Sequence, residues 1–177
     1  AFDDMYQQVV TVNGVSKSFA MTGWRLGYIG APEWIAKACT KIQGQFTSGA
    51  SSISQRAALA AVSYSPNVIL PMKEAFLERR NFMLKELRNI KGIKINEPNG
   101  AFYLFPDVSG LFGQHFDGKT INNADDLCLF LLEEAKVALV TGNAFGSPNC
   151  IRISYAASME QLKEAVYRIK SAISQLN

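Results

Sequence analysis

Asn13-Gly14-Val15-Ser16-Lys17-Ser18-Phe19-Ala20-Met21-Thr22-Gly23-Trp24-Arg25-Leu26-Gly27 decides what kind of fold this chain can adopt. It follows the β-branched run Val9-Val10-Thr11-Val12, which predicts a short buried strand ended by the Asn-Gly turn signal. Leu26 to Ile29 predicts a second strand, closed by Gly30. Between the two stands a lysine among small and apolar residues. Desolvation and a nearby cation both favour the neutral form of an amine. A neutral amine can attack a carbonyl carbon and form a Schiff base. Arg25 would supply a planar fork suited to a phosphate dianion. Gly14, Gly23 and Gly27 permit tight turns and close backbone approach. On spacing alone, the same residues also read as a surface loop carrying one Lys and one Arg, both common residues.

Outward from this stretch, the pattern alternates helix and strand. Pro32 at a first helical turn, where a missing N–H costs nothing, opens a helix to about Gln45. A second helix is predicted over Ser52 to Val62, with Ile53, Ala57, Ala60 and Ala61 as its packing face. Ser65-Pro66 is an N-cap followed by Pro, and a long helix to about Ile90 follows. Val68, Met72, Ala75, Phe76, Met83, Leu87 and Ile90 keep its 3.6-residue period, and Lys91-Gly92 ends it. Helices of this length often bridge two domains. Strands are predicted at Ile93–Ile95, Ala101–Phe105, Val137–Val140 and Ile151–Tyr155, with a helix from about Ala124 to Lys136. Ser158-Met159-Glu160-Gln161 is a capping box ahead of an apolar stripe from Leu162 to Leu176. The fold class is therefore α/β. A first domain is expected over 1–65, and a connecting helix with a smaller α/β domain over 66–177.

Composition excludes several classes. The 177 residues are 48% hydrophobic, enough for a core and against disorder. The net charge of +3 is spread without a Lys/Arg block, so no nucleic-acid partner is expected. No apolar run approaches the roughly 18 residues of a membrane span. Ala1-Phe2-Asp3-Asp4 does not resemble a signal peptide, and the missing initiator Met suggests a chain cut from something longer. Cys39, Cys128 and Cys150 have no metal spacing and there is one histidine, His115, so no metal is expected. Cys39 and Cys128 read as small core residues in helices, and a reducing, cytoplasmic compartment follows.

Ile151-Arg152-Ile153-Ser154-Tyr155-Ala156 alternates, with Ile151, Ile153 and Tyr155 on one face. Arg152 shares the other face with two small residues, which leaves room for a carboxylate against its fork. An arginine on an edge strand, paired with a structural acid, fits the pattern equally well.

The lysine stretch resembles the cofactor-lysine signature of the class I aminotransferases, fold type I enzymes of pyridoxal 5′-phosphate. Gly14, Val15, Ser16, Lys17, Ala20, Met21, Gly23, Arg25, Leu26 and Gly27 stand in the expected order, and the wording is most similar to the bacterial aspartate aminotransferases. The resemblance implies that residues 1–65 are the C-terminal part of a large cofactor-binding domain. It implies that Lys17 carries the cofactor as a Schiff base and then moves the proton between substrate Cα and cofactor C4′. It implies that Arg25 binds the cofactor phosphate. Many members have a Ser three residues before the lysine where this chain has Gly14, and Ser16 is the hydroxyl available instead. Gly142-Asn143-Ala144-Phe145-Gly146 and Arg-x-Ser-Tyr-Ala are similar to the C-terminal part of the same family, which implies that Arg152 grips the substrate α-carboxylate. Gln45 to Gln55 resembles a loop that reaches the neighbour's site in family dimers, although relatives often carry Asn-Pro where this chain has Gly49-Ala50.

The implied activity is transfer of an amino group between an amino acid, aspartate or glutamate, and a 2-oxo acid, in a homodimer. Other family members are C–S lyases and share the signature. The family's pyridine-pairing aspartate and its tyrosine come from well before the lysine. Asp3-Asp4-Met5-Tyr6 has Asp-x-x-Tyr spacing but stands too close to Lys17, and it reads as the start of a short helix. A fragment that does not catalyse by itself is therefore the alternative reading.

Overall fold

The computed structural model describes residues 3–177, with the side chains of Asp3 and Asp4 left aside; Ala1 and Phe2, the first residues of the segment read above as no signal peptide, lie outside the described residues. The chain is mixed α and β and divides into two compact units, Ala1–Pro71 and Met72–Asn177.

The first unit opens with a 3₁₀ segment, Asp3–Gln8, followed by β1 (Thr11–Gly14). A short helix α1 (Val15–Ser18) and a 3₁₀ turn at Thr22–Trp24 lead to β2 (Gly27–Gly30). Helices α2 (Glu33–Phe46) and α3 (Ser52–Ser63) follow. β1 and β2 pair antiparallel in the register Thr11↔Gly30 to Gly14↔Gly27. The first strand therefore lies two residues later than its β-branched run predicts. The partner ends at Gly30, so pairing begins at Thr11, and Asn13-Gly14 joins the ladder instead of turning. β1 is also exposed where a buried strand is expected, because a single strand flanks it.

Burial in this unit is sparse. Val15, Pro32, Ser54 and Ala58 are its buried residues among those described, while Val12, Trp34, Phe46, Ile53 and Tyr64 are exposed. The packing face of α3 is Ser54, Ala57, Ala58 and Ala61, so Ile53 and Ala60 fall off the predicted stripe. Cys39 is exposed on α2 and is not a core residue.

The second unit holds the core. Ahead of it, at the end of the first unit, Ser65 caps a 3₁₀ turn at Pro66–Ile69 through a bond from the Asn67 amide, 3.3 Å long, so the predicted long helix begins as 3₁₀ before α4 (Leu70–Arg88). β3 (Tyr103–Leu104), the hairpin β4 (His115–Phe116) and β5 (Lys119–Thr120), and α5 (Ala124–Glu133) follow. β6 (Val140–Thr141), β7 (Ile151–Ser154) and α6 (Met159–Ile173) complete the unit. The sheet order is β3-β7-β6, antiparallel throughout, so β7 is central. Met83, Leu84 and Leu87 of α4 pack with Leu104, Leu127, Leu131, Ile151, Ile153, Leu162, Val166 and Ile169.

The capping box at Ser158 and Gln161 forms as predicted, and Asn123 caps α5 by accepting from the Asp126 amide at 2.9 Å. Ile93–Ile95 contributes an isolated bridge, Lys94↔Asp107, and not a strand. No element is predicted at the β4–β5 hairpin. Its turn is Asp117-Gly118, with φ of 46° and 74°, the dipeptide that favours two-residue hairpin turns. No described helix is long and apolar enough to cross a membrane.

Leu87 is 0% exposed at the centre of this core. Truncation there removes apolar contacts and leaves a cavity. Leu87→Ala is expected to lower the stability of the second unit by about 2–5 kcal/mol, read from the urea midpoint of its unfolding transition.

Candidate active site

Lys17 sits on α1, and Arg25 follows the 3₁₀ turn at Thr22–Trp24 that packs against that helix. The whole excursion from Val15 to Leu26 is closed at its base by the Gly14↔Gly27 pair. That closure is tight. A Cβ on Gly27 would stand 3.2 Å from the Asn13 carbonyl, and one on Gly14 would stand 3.4 Å from that of Leu26. Gly23 lies inside the 3₁₀ turn and has open space around it among the described residues. Val15 is fully buried and pins the start of α1, whereas Ser16 is half-buried and Lys17 exposed.

The backbone of the excursion is strained in two places. Ala20 and Arg25, neither a glycine, both lie in the left-handed region, at φ of 53° and 52°. Each such residue costs about 1–3 kcal/mol, and strain of this kind gathers at functional sites. At Arg25 it turns the chain out of the 3₁₀ segment and into β2. The Arg25 side chain folds back, and its Nη1 donates to the Thr22 carbonyl at 2.9 Å. One corner of the guanidinium is thus fixed on its own turn, with other N–H groups left to meet a ligand. An amine, a hydroxyl and a guanidinium accordingly lie on one loop whose base cannot open without breaking the ladder.

Arg152 lies in the second unit, on central strand β7. The predicted alternation holds: Ile151, Ile153 and Tyr155 are 1%, 4% and 2% exposed, and Arg152 faces away from them, half-buried. β7 is not an edge strand, and among the described residues of this unit no carboxylate forms an ion pair with Arg152. The alternative of a structural salt bridge on a sheet edge therefore fails on both counts. What surrounds the guanidinium is aromatic. Its Cζ lies 4.6 Å from the Tyr103 ring centroid and 4.7 Å from that of Phe145. Neither ring is marked as part of the site by residue type or spacing. For Tyr103 the signal is a β-register, Tyr103↔Ser154, which places it on the face of Arg152, and Phe145 comes from the turn after β6.

The chain was compared with known proteins. Residues 1–169 match the family model for aminotransferase class I and II, and the chain belongs to that family. Over 173 residues it is 54% identical to the bifunctional aspartate aminotransferase and glutamate/aspartate-prephenate aminotransferase of Petunia hybrida, covering 96% of this chain and 36% of that protein. It is 49% identical to the aspartate aminotransferase of Pinus pinaster, over 96% of this chain and 35% of the relative. The crystal structure of the aspartate aminotransferase from Rhizobium meliloti superposes with a TM-score of 0.94 at 43% identity, over 97% of this chain and 43% of that one. The chain thus spans less than half the length of these relatives.

Left-handed Ala20 gives a direct test of the loop's strain. Ala20→Gly removes the Cβ clash and is expected to leave stability unchanged or to raise it by about 1 kcal/mol. Ala20→Val adds a branched Cβ at the same φ and is expected to lower the melting temperature. Thermal unfolding of the two variants side by side checks the sign of each.

Proposed function

We propose that this chain carries the lysine and arginine part of a pyridoxal-phosphate-dependent aminotransferase, which moves an amino group between an amino acid and a 2-oxo acid. The observation that carries the reading is the closed loop with Lys17, Ser16 and Arg25 on it, in a chain of this family. The donor set fits an aldehyde that bears a phosphate: an amine for the first, a guanidinium and a hydroxyl for the second. When bound, the cofactor acts as an electron sink for the carbanion formed at the substrate's Cα. Lys17 is the amine that tethers it and the base that moves the Cα proton. Arg25 and Ser16 hold the phosphate, and Arg152 receives the substrate carboxylate. Aspartate or glutamate as amino donor is the choice supported by the names of the relatives.

In this reading residues 1–65 form the end of the large cofactor-binding domain, and residues 66–177 the connecting helix and small domain. The complete enzyme is a homodimer. Free Cys39, Cys128 and Cys150 support a reducing, cytoplasmic compartment.

Borohydride reduction of the complete, cofactor-loaded protein, followed by peptide mapping, tests the tether. The cofactor is expected on Lys17 alone, and label on another lysine with Lys17 unmodified would refute the assignment.

One observation favours a second reading for the 177-residue chain taken alone. Its lysine-bearing unit buries few side chains and leaves Trp34, Phe46 and Ile53 exposed, and an isolated two-stranded sheet is marginal in water. We expect this chain by itself not to catalyse transamination. A coupled assay with excess pyridoxal phosphate, alongside hydrogen exchange, should find no turnover and faster exchange over 11–30 than over 151–172. Turnover close to that of the complete enzyme would show that the site is built within these residues.

A further inference from the structure

An arginine that receives a carboxylate has several rotatable bonds, and a fork that swings loses the geometric advantage of its plane. Around Arg152 the structure supplies two flat surfaces. Its Cζ lies over the rings of Tyr103 and Phe145 at 4.6 and 4.7 Å, a distance at which ring faces attract a guanidinium. With two rings packed against it, the group is restricted in how it can turn, while its N–H donors stay arrayed around the edge of its own plane, where a carboxylate can meet them in pairs.

Both rings are themselves held. Tyr103 on β3 opposes Ser154, so it is the diagonal neighbour of Arg152 on the same sheet face. The turn before it has Ala101 at φ 59° and is tied by two bonds to Tyr155, the residue just after β7. The Tyr155 hydroxyl donates to the Ala101 carbonyl at 3.1 Å, and the Tyr155 amide donates to the Phe102 carbonyl at 3.0 Å. Phe145 ends the 3₁₀ turn Gly142–Phe145, which follows β6. The Asn143 side chain on that turn donates to Asp125 Oδ2 at 2.8 Å. Gly142 is pressed so close that a Cβ would stand 2.1 Å from the Ser147 carbonyl and 2.4 Å from that of Cys150. Phe145 and Phe105 meet edge to face, with centroids 5.9 Å apart. Phe145 is nonetheless 48% exposed, so core packing alone does not explain why its turn is anchored this firmly.

We propose that Tyr103 and Phe145 are positioning residues, which hold the Arg152 guanidinium so that its edge is presented to a planar carboxylate. The proposal rests on the reading of Arg152 as the carboxylate receptor. It adds that the orientation of the fork comes from two rings and not from an acidic partner within this unit. Asp125 then acts at one remove, through Asn143 and the turn that carries Phe145.

Two measurements test it. In the 177-residue chain, the Arg152 Nε–H proton should resonate upfield of exposed arginines, because ring currents shield a group lying over ring faces. Tyr103→Leu and Phe145→Leu should each move it back toward the exposed position, and Tyr103→Phe should not. In the complete, cofactor-loaded enzyme, each leucine variant should raise KM for the amino acid and the oxo acid by roughly two- to thirtyfold, with kcat changed less. Tyr103→Phe, which keeps the ring, should restore most of the loss. A KM unchanged in both leucine variants, while Arg152→Lys raises it, overturns the positioning role and leaves the carboxylate reading standing. A KM unchanged in Arg152→Lys overturns the carboxylate reading and the positioning role with it. An Arg152 signal at the exposed position that neither leucine variant moves overturns the ring geometry itself.

Discussion

The period of two along β7 is the constraint on which the second unit depends. Ile151 and Ile153 must face α4 and α6 for the core to close, and their burial leaves Arg152 no choice but the opposite face. A slip of one residue would bury a guanidinium and expose two isoleucines, so the packing energy of the core also sets the direction of the Arg152 side chain. Because β7 is central, with β3 on one side and β6 on the other, both neighbours can bring a ring to Arg152. Tyr103 comes from β3 itself, and Phe145 from the turn that leaves β6.

The first unit is organised differently. Its described residues form no comparable core, and its order comes from backbone pairing: four residue pairs between β1 and β2, ending where Gly14 meets Gly27. The loop between them bears two left-handed non-glycine residues, Ala20 and Arg25. Strain held by a short ladder is tolerated when surrounding structure determines the loop's path. The exposed Trp34, Phe46 and Ile53 show how little of that surrounding structure lies within residues 3–71.

Much of the candidate site was legible. Lys17 and Arg25 stand in a stretch whose residue order carries the family, and Ile151-Arg152-Ile153 declares which way its arginine points. The helices, too, were marked by residues whose chemistry is local. Ser158 with Gln161, and Ser65 by itself, satisfy backbone groups within a few positions, and Pro66 removes a donor that would lack a partner, so they act wherever they stand. The Asp117-Gly118 hairpin was equally local, but its strands of two residues are too short for an alternating pattern to show.

What tertiary structure alone decided has a common physical cause, dependence on a partner distant in sequence. β1 shifted by two residues because β2 ends at Gly30, and Ile53 fell off the α3 face because no described residue of its unit covers it. Cys39 reads as apolar but is exposed on α2 for the same lack of a covering element, whereas Cys128 on α5 is half-buried and burial pushes its thiol up to about 11. The aromatic surroundings of Arg152 needed the register Tyr103↔Ser154, which joins positions about 50 residues apart, and the turn at Gly142–Phe145, which Asn143 ties to Asp125. Residue identity by itself determined which groups could do chemistry here, because nucleophilicity and charge belong to the side chain. Their orientation was settled by strand register and by glycine-tight packing, which no local pattern encodes.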